Sequence, residues 1–243
     1  MKSVKLGCLL SQFNTCFFAM GFNFDNIATT YDGLNHLMTW GIDRCWRRRA
    51  VAAVVERDKI QCFLDIATGT GDLAVDILNH AQAGSHLVGI DLSQPMMDIA
   101  HRKLKGKNYE LQLANAEELP FENESFDCVT VSFGVRNFTH LEKSLAEMYR
   151  GMKADGKLMI LELSYPDNKL LLALYKIYAL KIIPWLGSLF AGNRKAYEYL
   201  PNSILRFPKP DKFIPMLENA GFKQIEHRAF TFGVCRMYVA EKN

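Results

Sequence analysis

No two cysteines stand at CxxC spacing in this 243-residue chain, and no HExxH occurs. The six cysteines, Cys8, Cys16, Cys45, Cys62, Cys128 and Cys235, are scattered, several of them inside apolar runs. Neither a zinc site nor a disulfide framework is indicated, and no metal is expected. Charge of one sign is scarce as well: 29 Lys plus Arg face 26 Asp plus Glu, a net of +3. That is too mild to argue a nucleic-acid partner, and none is expected. There is no internal repeat. The longest apolar stretch, from Leu170 to Trp185, is interrupted by Lys176, Lys181 and Pro184, whereas a membrane span needs roughly 20 predominantly apolar residues. With 49% hydrophobic and 23% charged residues, the balance is that of one globular domain of ordinary core size.

The first residues, MKSVKLGCLLSQFNTCFFAMGF, pair two lysines with an apolar stretch but are interrupted by Ser11, Gln12, Asn14 and Thr15. They lack a convincing cleavage site, and Leu6-Gly7-Cys8 has too short an apolar lead to read as a lipoprotein signal. Met20 is an alternative start. The expected plan is an extension over 1–24 and one domain over 25–243, capped by helices drawn from 25–56 and 166–210. The expected setting is cytoplasmic, with peripheral contact at the inner face of the membrane, and a homodimer is left open. The basic run Arg44, Arg47, Arg48 and Arg49 reads as a solvated helix face, with anionic lipid headgroups as the alternative.

Hydrophobic periodicity predicts two helices between Ile27 and Glu56, broken near Gly41. Strands follow at Cys62–Ile66, Leu87–Asp91, Tyr109–Leu113, Phe126–Ser132 and Lys157–Leu163, alternating with helices at Pro95–Leu104 and about Leu141–Met152. That rhythm predicts an α/β, Rossmann-like fold: a mostly parallel sheet with helices on both faces. A helix at Lys212–Asn219 and strands at Gln224–Phe230 and Val234–Ala240 close the chain, and the short link near Gly233 forces antiparallel pairing there. If helical, the segment after Pro166 is apolar nearly all round. It reads either as a buried core helix or as a lid lining a channel for a lipid-like tail.

Gly69-Thr70-Gly71-Asp72-Leu73-Ala74 follows a strand, opens a helix and has Asp91 about 20 residues on, as in dinucleotide-binding units. A nicotinamide-dependent dehydrogenase is therefore a rival. Asp65 and Asp72 argue against it, because a pyrophosphate favours backbone N–H groups without competing negative charge. S-adenosylmethionine carries no phosphate, and its sulfonium and ammonium suit an acidic site. Asp65 would meet the ammonium directly or through the loop, Gly69 and Gly71 would admit close backbone approach, and Asp91 would accept the ribose hydroxyls. Asn115-Ala116 would meet the adenine edge, and Ser132 lies on the same rim. Each feature alone has a plain structural reading: a tight turn, a helix-start charge, a strand-end hydroxyl. Their succession at four strand ends favours the cofactor.

On these residues the chain resembles the class I S-adenosylmethionine-dependent methyltransferases, and more narrowly the UbiE/MenG family of quinone C-methyltransferases. One signature is Tyr31-Asp32-Gly33-Leu34-Asn35 continuing to Trp46, with Leu34, Thr39 and Asp43 where Met, Ser and His are more usual. A second runs from Arg150 through Lys153 and Gly156 to Glu162-Leu163-Ser164, with Gly151, Ala154 and Asp155 departing from it. The most specific is Ser132-Phe133-Gly134-Val135-Arg136-Asn137. The resemblance implies a seven-stranded sheet with an antiparallel last strand, and cofactor contacts at Thr70, Asp91, Asn115, Ala116 and Ser132.

It further implies methylation of a reduced polyprenylated quinone. Demethylmenaquinol is the expected acceptor in menaquinone biosynthesis, and a 2-polyprenyl-6-methoxy-1,4-benzoquinol in ubiquinone biosynthesis is the alternative. Arg136 is expected to stabilise the developing phenolate, since a guanidinium stays protonated. Asn137 and Tyr31 are expected to place a water or a quinol oxygen. A packed aromatic is the plain reading of Tyr31, and an ion pair that of Arg136. A non-catalytic scaffold has no need of Gly69, Gly71, Asp91 and Arg136. A nucleic-acid methyltransferase is disfavoured because the chain has no Asn/Asp-Pro-Pro-aromatic tetrad.

Overall fold

The computed structural model describes residues 28, 32–33, 39–182 and 194–243, with backbone alone for 194–199. Tyr31, most of the first predicted helix, and Pro184 and Trp185 lie outside the described residues. Seven strands form one sheet: β1 (Cys62–Ile66), β2 (His86–Asp91), β3 (Tyr109–Leu113), β4 (Phe126–Ser132), β5 (Met152–Leu163), β6 (Lys223–Phe230) and β7 (Cys235–Glu241). Their order is β3-β2-β1-β4-β5-β7-β6. Only β7 runs against its neighbours, pairing antiparallel with β5 and with β6. The order reverses between β1 and β4, and in open α/β sheets the crevice at such a switch point is where ligands bind.

The helices are α1 (Asp43–Val54), α2 (Asp72–His80), α3 (Gln94–Leu104), α4 (Leu141–Gly151), α5 (Lys169–Ile177), α6 (Arg194–Arg206) and α7 (Pro210–Asn219), with a π-helical turn at Tyr178–Ile182 after α5. Alternation along each strand feeds two cores. Phe63, Cys128 and Met159 pack with Trp46, Val54, Ile77 and Leu104 of α1, α2 and α3 on one face. Leu64, Val129 and Ile160 pack with Leu145, Met148, Phe213 and Leu217 of α4 and α7 on the other. Two-sided burial explains why the central strands read as nearly continuous apolar runs.

Three expectations need correction. β5 begins at Met152, where a strand from Lys157 was expected; its early residues pair across an irregularity between Phe126 and Cys128. Arg47 is not solvated with its neighbours: it is 7% exposed, on the buried face of α1 with Trp46 and Ala50. A helix period of 3.6 sends one residue of a basic cluster inward while Arg44, Arg48 and Arg49 stay exposed. The segment after Pro166 is no core helix, because α5 has no buried residue.

Gly71 is the N-cap of α2 at φ +82°. A Cβ there would stand 2.9 Å from the Cβ of Ala100 on α3, so this glycine serves both a left-handed backbone and a close helix approach. Gly71→Ala is expected to lower the unfolding free energy by about 2–4 kcal/mol in urea titration. Gly106→Ala, at φ +84° with open space around it, should cost only about 1 kcal/mol. Equal losses would contradict the packing account.

Candidate functional site

The loop leaving β1 is tied down before any ligand is considered. Thr68 donates its N–H to the Ile90 carbonyl of β2 (2.9 Å), and Gly71 donates back to the Thr68 carbonyl (2.9 Å). Beneath the loop Asp65 is 1% exposed, accepting the hydroxyls of Thr68 and Thr130 at 2.7 Å each. Burial pushes its carboxyl from the ordinary 3.8 up to about 6, against the two threonine hydrogen bonds and with the nearby Asp91 charge adding to the rise. Asp65 does not itself line the cleft; its carboxylate holds the loop from beneath through Thr68.

Asp91 ends β2 with each carboxylate oxygen accepting one backbone N–H, Oδ2 from Gly69 and Oδ1 from Ser93, both at 2.8 Å. It thereby fixes the spacing of the two loops, and a carboxylate oxygen has capacity for more than one donor. Ala114 donates to the Asp91 carbonyl (3.2 Å), which sets the next turn beside it. There Asn115 Oδ1 accepts from Glu117 N (3.0 Å) and Ala116 is buried. The buried Glu117 carboxylate accepts the backbone N–H groups of Thr139 (3.1 Å) and His140 (3.0 Å), joining this turn to the chain beyond Asn137.

At the end of β4 the backbone is strained. Phe133 has φ +56° and Ala67, across the switch point, φ +53°, left-handed conformations costly for such side chains. A Cβ on Gly134 would fall 2.6 Å from the Cβ of Ala67, so glycine alone lets the two loops cross. Arg136 follows in a single 3₁₀ turn (Val135–Asn137). Its backbone N–H reaches Glu162 Oε2 (3.0 Å), and its Nη1 reaches Glu162 Oε1 (2.6 Å) and the Phe133 carbonyl. The two side chains are 3% and 0% exposed. The ion-pair reading of Arg136 thus holds, and the same residue still lines the cleft.

The cleft holds about 630 Å³ of empty space, counted to its open mouth, and its walls include Gly69, Thr70, Ser132 and Arg136. Of the other expected site residues among the described ones, Asp65, Gly71, Asp91, Asn115, Ala116 and Asn137 do not line it.

Asp32, Asp43, Arg47 and Asp72 also line the cleft, and of these only Asp72 was expected at the site as a charge. Arg47 of α1 holds Asp43 (2.7 Å), Asp72 (3.2 Å) and Asp76 (3.3 Å). Lys103 of α3 bridges Asp32 (2.5 Å) and Asp72 (2.6 Å), and Thr70 donates its hydroxyl to Asp32 (2.6 Å). Two cations thus face four carboxylates. A pyrophosphate would meet net negative charge here; a sulfonium and an ammonium would be attracted, so the residues fit S-adenosylmethionine. No local signal marks Lys103, which lies 71 residues from Asp32 in sequence. Glu162 falls inside a recognised motif, yet its partner Arg136 is 26 residues away.

Two outcomes follow from this geometry. The raised pKa of Asp65 favours the folded state below about pH 4, and that contribution is lost as pH rises through about 6. Between about pH 5 and about pH 7.5, wild type should lose on the order of 1 kcal/mol of stability relative to Asp65→Asn, as read by urea unfolding; parallel pH profiles would contradict the burial account. The Lys103 pairs are part-exposed, so Lys103→Met should cost about 1 kcal/mol of stability or less. It should nevertheless weaken S-adenosylhomocysteine binding by about fivefold in calorimetry, because about 1 kcal/mol of wall-positioning energy is lost. Unchanged affinity would show that the Asp32 contact does not shape the cleft.

The sequence profile of the ubiE/COQ5 methyltransferase family matches residues 20–242. A demethylmenaquinone methyltransferase of Bacteroides fragilis is 41% identical over 223 residues, covering 90% of this chain and 90% of that protein. The ubiquinone/menaquinone biosynthesis C-methyltransferase UbiE of Geotalea uraniireducens is 42% identical over 225 residues, covering 90% and 94%. Among solved structures, a SAM-dependent methyltransferase of Thermotoga maritima superposes with a TM-score of 0.63 at 18% identity, covering 90% of this chain and 98% of that one. A Haemonchus contortus phosphoethanolamine N-methyltransferase in complex with S-adenosyl-L-methionine does so at 0.56 and 17%, covering 76% and 49%. These structures share the fold alone. The family match runs from residue 20 to residue 242, and on that extent and identity the chain belongs to the ubiE/COQ5 methyltransferase family and is a methyltransferase.

Proposed function

We propose that the chain transfers a methyl group from S-adenosylmethionine to a ring carbon of a reduced polyprenylated quinone, converting demethylmenaquinol to menaquinol. The observation that carries this reading is the 41% identity, over nine-tenths of both chains, to a protein named demethylmenaquinone methyltransferase. The relatives named for both quinones favour the 2-polyprenyl-6-methoxy-1,4-benzoquinol of ubiquinone biosynthesis as the second acceptor. A polyprenyl tail partitions into lipid, so the acceptor is met at a membrane surface.

On the donor side, Gly69, Thr70 and Gly71 admit the cofactor against the backbone, with Asp65 holding the loop from behind. Asp91 takes the ribose hydroxyls, the Asn115-Ala116 turn meets the adenine, and Ser132 closes the rim. S-adenosylmethionine supplies an electrophilic methyl group on a sulfonium. On the acceptor side, loss of a hydroxyl proton leaves the quinol with an electron-rich ring carbon. That carbon bonds the methyl group as the sulfur–carbon bond breaks, and the ring proton then leaves to restore aromaticity.

Arg136 stabilises the phenolate oxygen electrostatically, and Glu162 holds the guanidinium in position. Too weak an acid to serve as a base, Arg136 leaves the ring proton to an ordered water placed by Asn137 and Tyr31.

Methyl incorporation from labelled S-adenosylmethionine tests the acceptor. Label in reduced demethylmenaquinone alone makes this a menaquinone enzyme, and label in the reduced benzoquinone as well makes it serve both pathways. No label in either overturns the reading. Arg136→Lys should lower kcat by about 10²–10³-fold while S-adenosylhomocysteine affinity stays within about twofold. Arg136→Ala alone would bury an unpaired carboxylate at the cost of about 3–5 kcal/mol, so the Ala variant is paired with Glu162→Gln. Full turnover in that double variant would remove Arg136 from the chemistry.

A further inference from the structure

β5 leads directly into α5, where the Asn168 side chain accepts the N–H groups of Leu170 (2.9 Å) and Leu171 (3.2 Å) and starts the helix. Leu170, Leu174 and Ile177 recur at i, i+4 and i+7, a spacing that gathers them on one face. They are 71%, 57% and 52% exposed, and Leu180 and Ile182 extend the apolar surface into the π-helical turn. Trp40, 84% exposed, lies beside Tyr178 of that turn.

Beyond Asp167, the charge along this stretch of the chain has one sign. From residue 168 to residue 197 the sequence holds five Lys or Arg and no Asp or Glu. Lys169, Lys176 and Lys181 are exposed, and among the described residues none of them is in an ion pair. No helix among the described residues is long and apolar enough to cross a membrane, so such a face lies on a surface and does not span it.

We propose that the outer face of α5 and the turn after it docks on an anionic lipid bilayer, with Leu170, Leu174 and Ile177 entering the headgroup region and Lys169, Lys176 and Lys181 contacting acidic headgroups. A second copy of this chain is the poorer occupant: an isologous contact would set the same lysines against each other. On the other side of the helix Leu171, Leu172 and Tyr175 are half-buried, so α5 has one face toward the protein and one away from it. Docking brings the protein to the phase in which a polyprenyl tail is dissolved. This inference rests on the quinol reading only for the purpose of docking, not for its occurrence.

Quinone-free vesicles of phosphatidylcholine, with and without about one-third phosphatidylglycerol, test it by flotation. Wild type should float with the anionic vesicles and far less with the zwitterionic ones, and added salt should reduce flotation. Lys169→Gln, Lys176→Gln and Lys181→Gln should each lower the partition coefficient by about fivefold, and Leu174→Asp/Ile177→Asp by on the order of tenfold or more. Both sets should keep wild-type S-adenosylhomocysteine affinity, thermal midpoint and turnover of a short-tailed soluble quinol.

Three results would overturn the proposal: a wild-type chain that stays out of the anionic vesicle fraction, substituted chains that float as wild type does, or an apolar substitution that turns a dimer into a monomer in sedimentation and leaves flotation intact. Flotation by a chain that methylates no quinol would overturn the proposed function and leave the docking face standing.

Discussion

The site depends on how closely two backbone loops pass at the switch point of the sheet. Gly134 lies against Ala67 with no room for a Cβ, and Ala67 and Phe133 both hold left-handed backbone there. Two such residues store on the order of a few kcal/mol of strain, and the parallel pairing of β1 with β4 holds them. The Asp65 carboxylate binds Thr68 of one loop and Thr130 of the neighbouring strand, so the crossing is clamped from beneath. Fixed in this way, the β1 loop can present backbone to a cofactor while the β4 loop carries Arg136 to the same cleft.

The electrostatics divide along the same line. The wall made by Asp32, Asp43 and Asp72 with Arg47 and Lys103 is net acidic and suits a cationic donor. Arg136 brings a guanidinium, balanced by the buried Glu162, to the same cleft, where the proposed function puts the acceptor oxygen. Substitution at a sulfonium removes one unit of charge from each partner, so under the proposed function the fixed charges of the cleft serve to form the ionised reactants and to align them, not to stabilise charge that develops during methyl transfer. The role in the chemistry proposed for Arg136 depends on a structural one: Glu162 holds the guanidinium, and without Arg136 the carboxylate would be a buried uncompensated charge.

Much of this was legible in the sequence. Two-sided burial made the five parallel strands of the switch region plain, and the glycine loop pointed to the end of the sheet where Gly69 and Thr70 line the cleft. The short link near Gly233 announced the reversed β7. Long-range charge was not legible. Arg47 looked like one member of a solvated basic run until the helix phase turned it inward, and Lys103 meets Asp32 only because α3 folds back beside the β1 loop. Glu162 was visible as part of a motif, but its partner is set by the pairing of β4 with β5. The segment after Pro166 stayed open for a different reason: apolar residues on all sides suit a buried helix and a lid equally well, and composition does not distinguish them.

The central claim is that one cleft serves a cation and an anion formed from a reduced acceptor. Its most direct measurement is transfer of a labelled methyl group to the same demethylmenaquinone held either fully reduced or fully oxidised, at matched cofactor saturation. The account predicts label in the reduced form alone, with a rate that rises as pH increases the fraction of ionised quinol. Equal labelling of the oxidised quinone, an electrophile with no ring carbanion to offer, would contradict it.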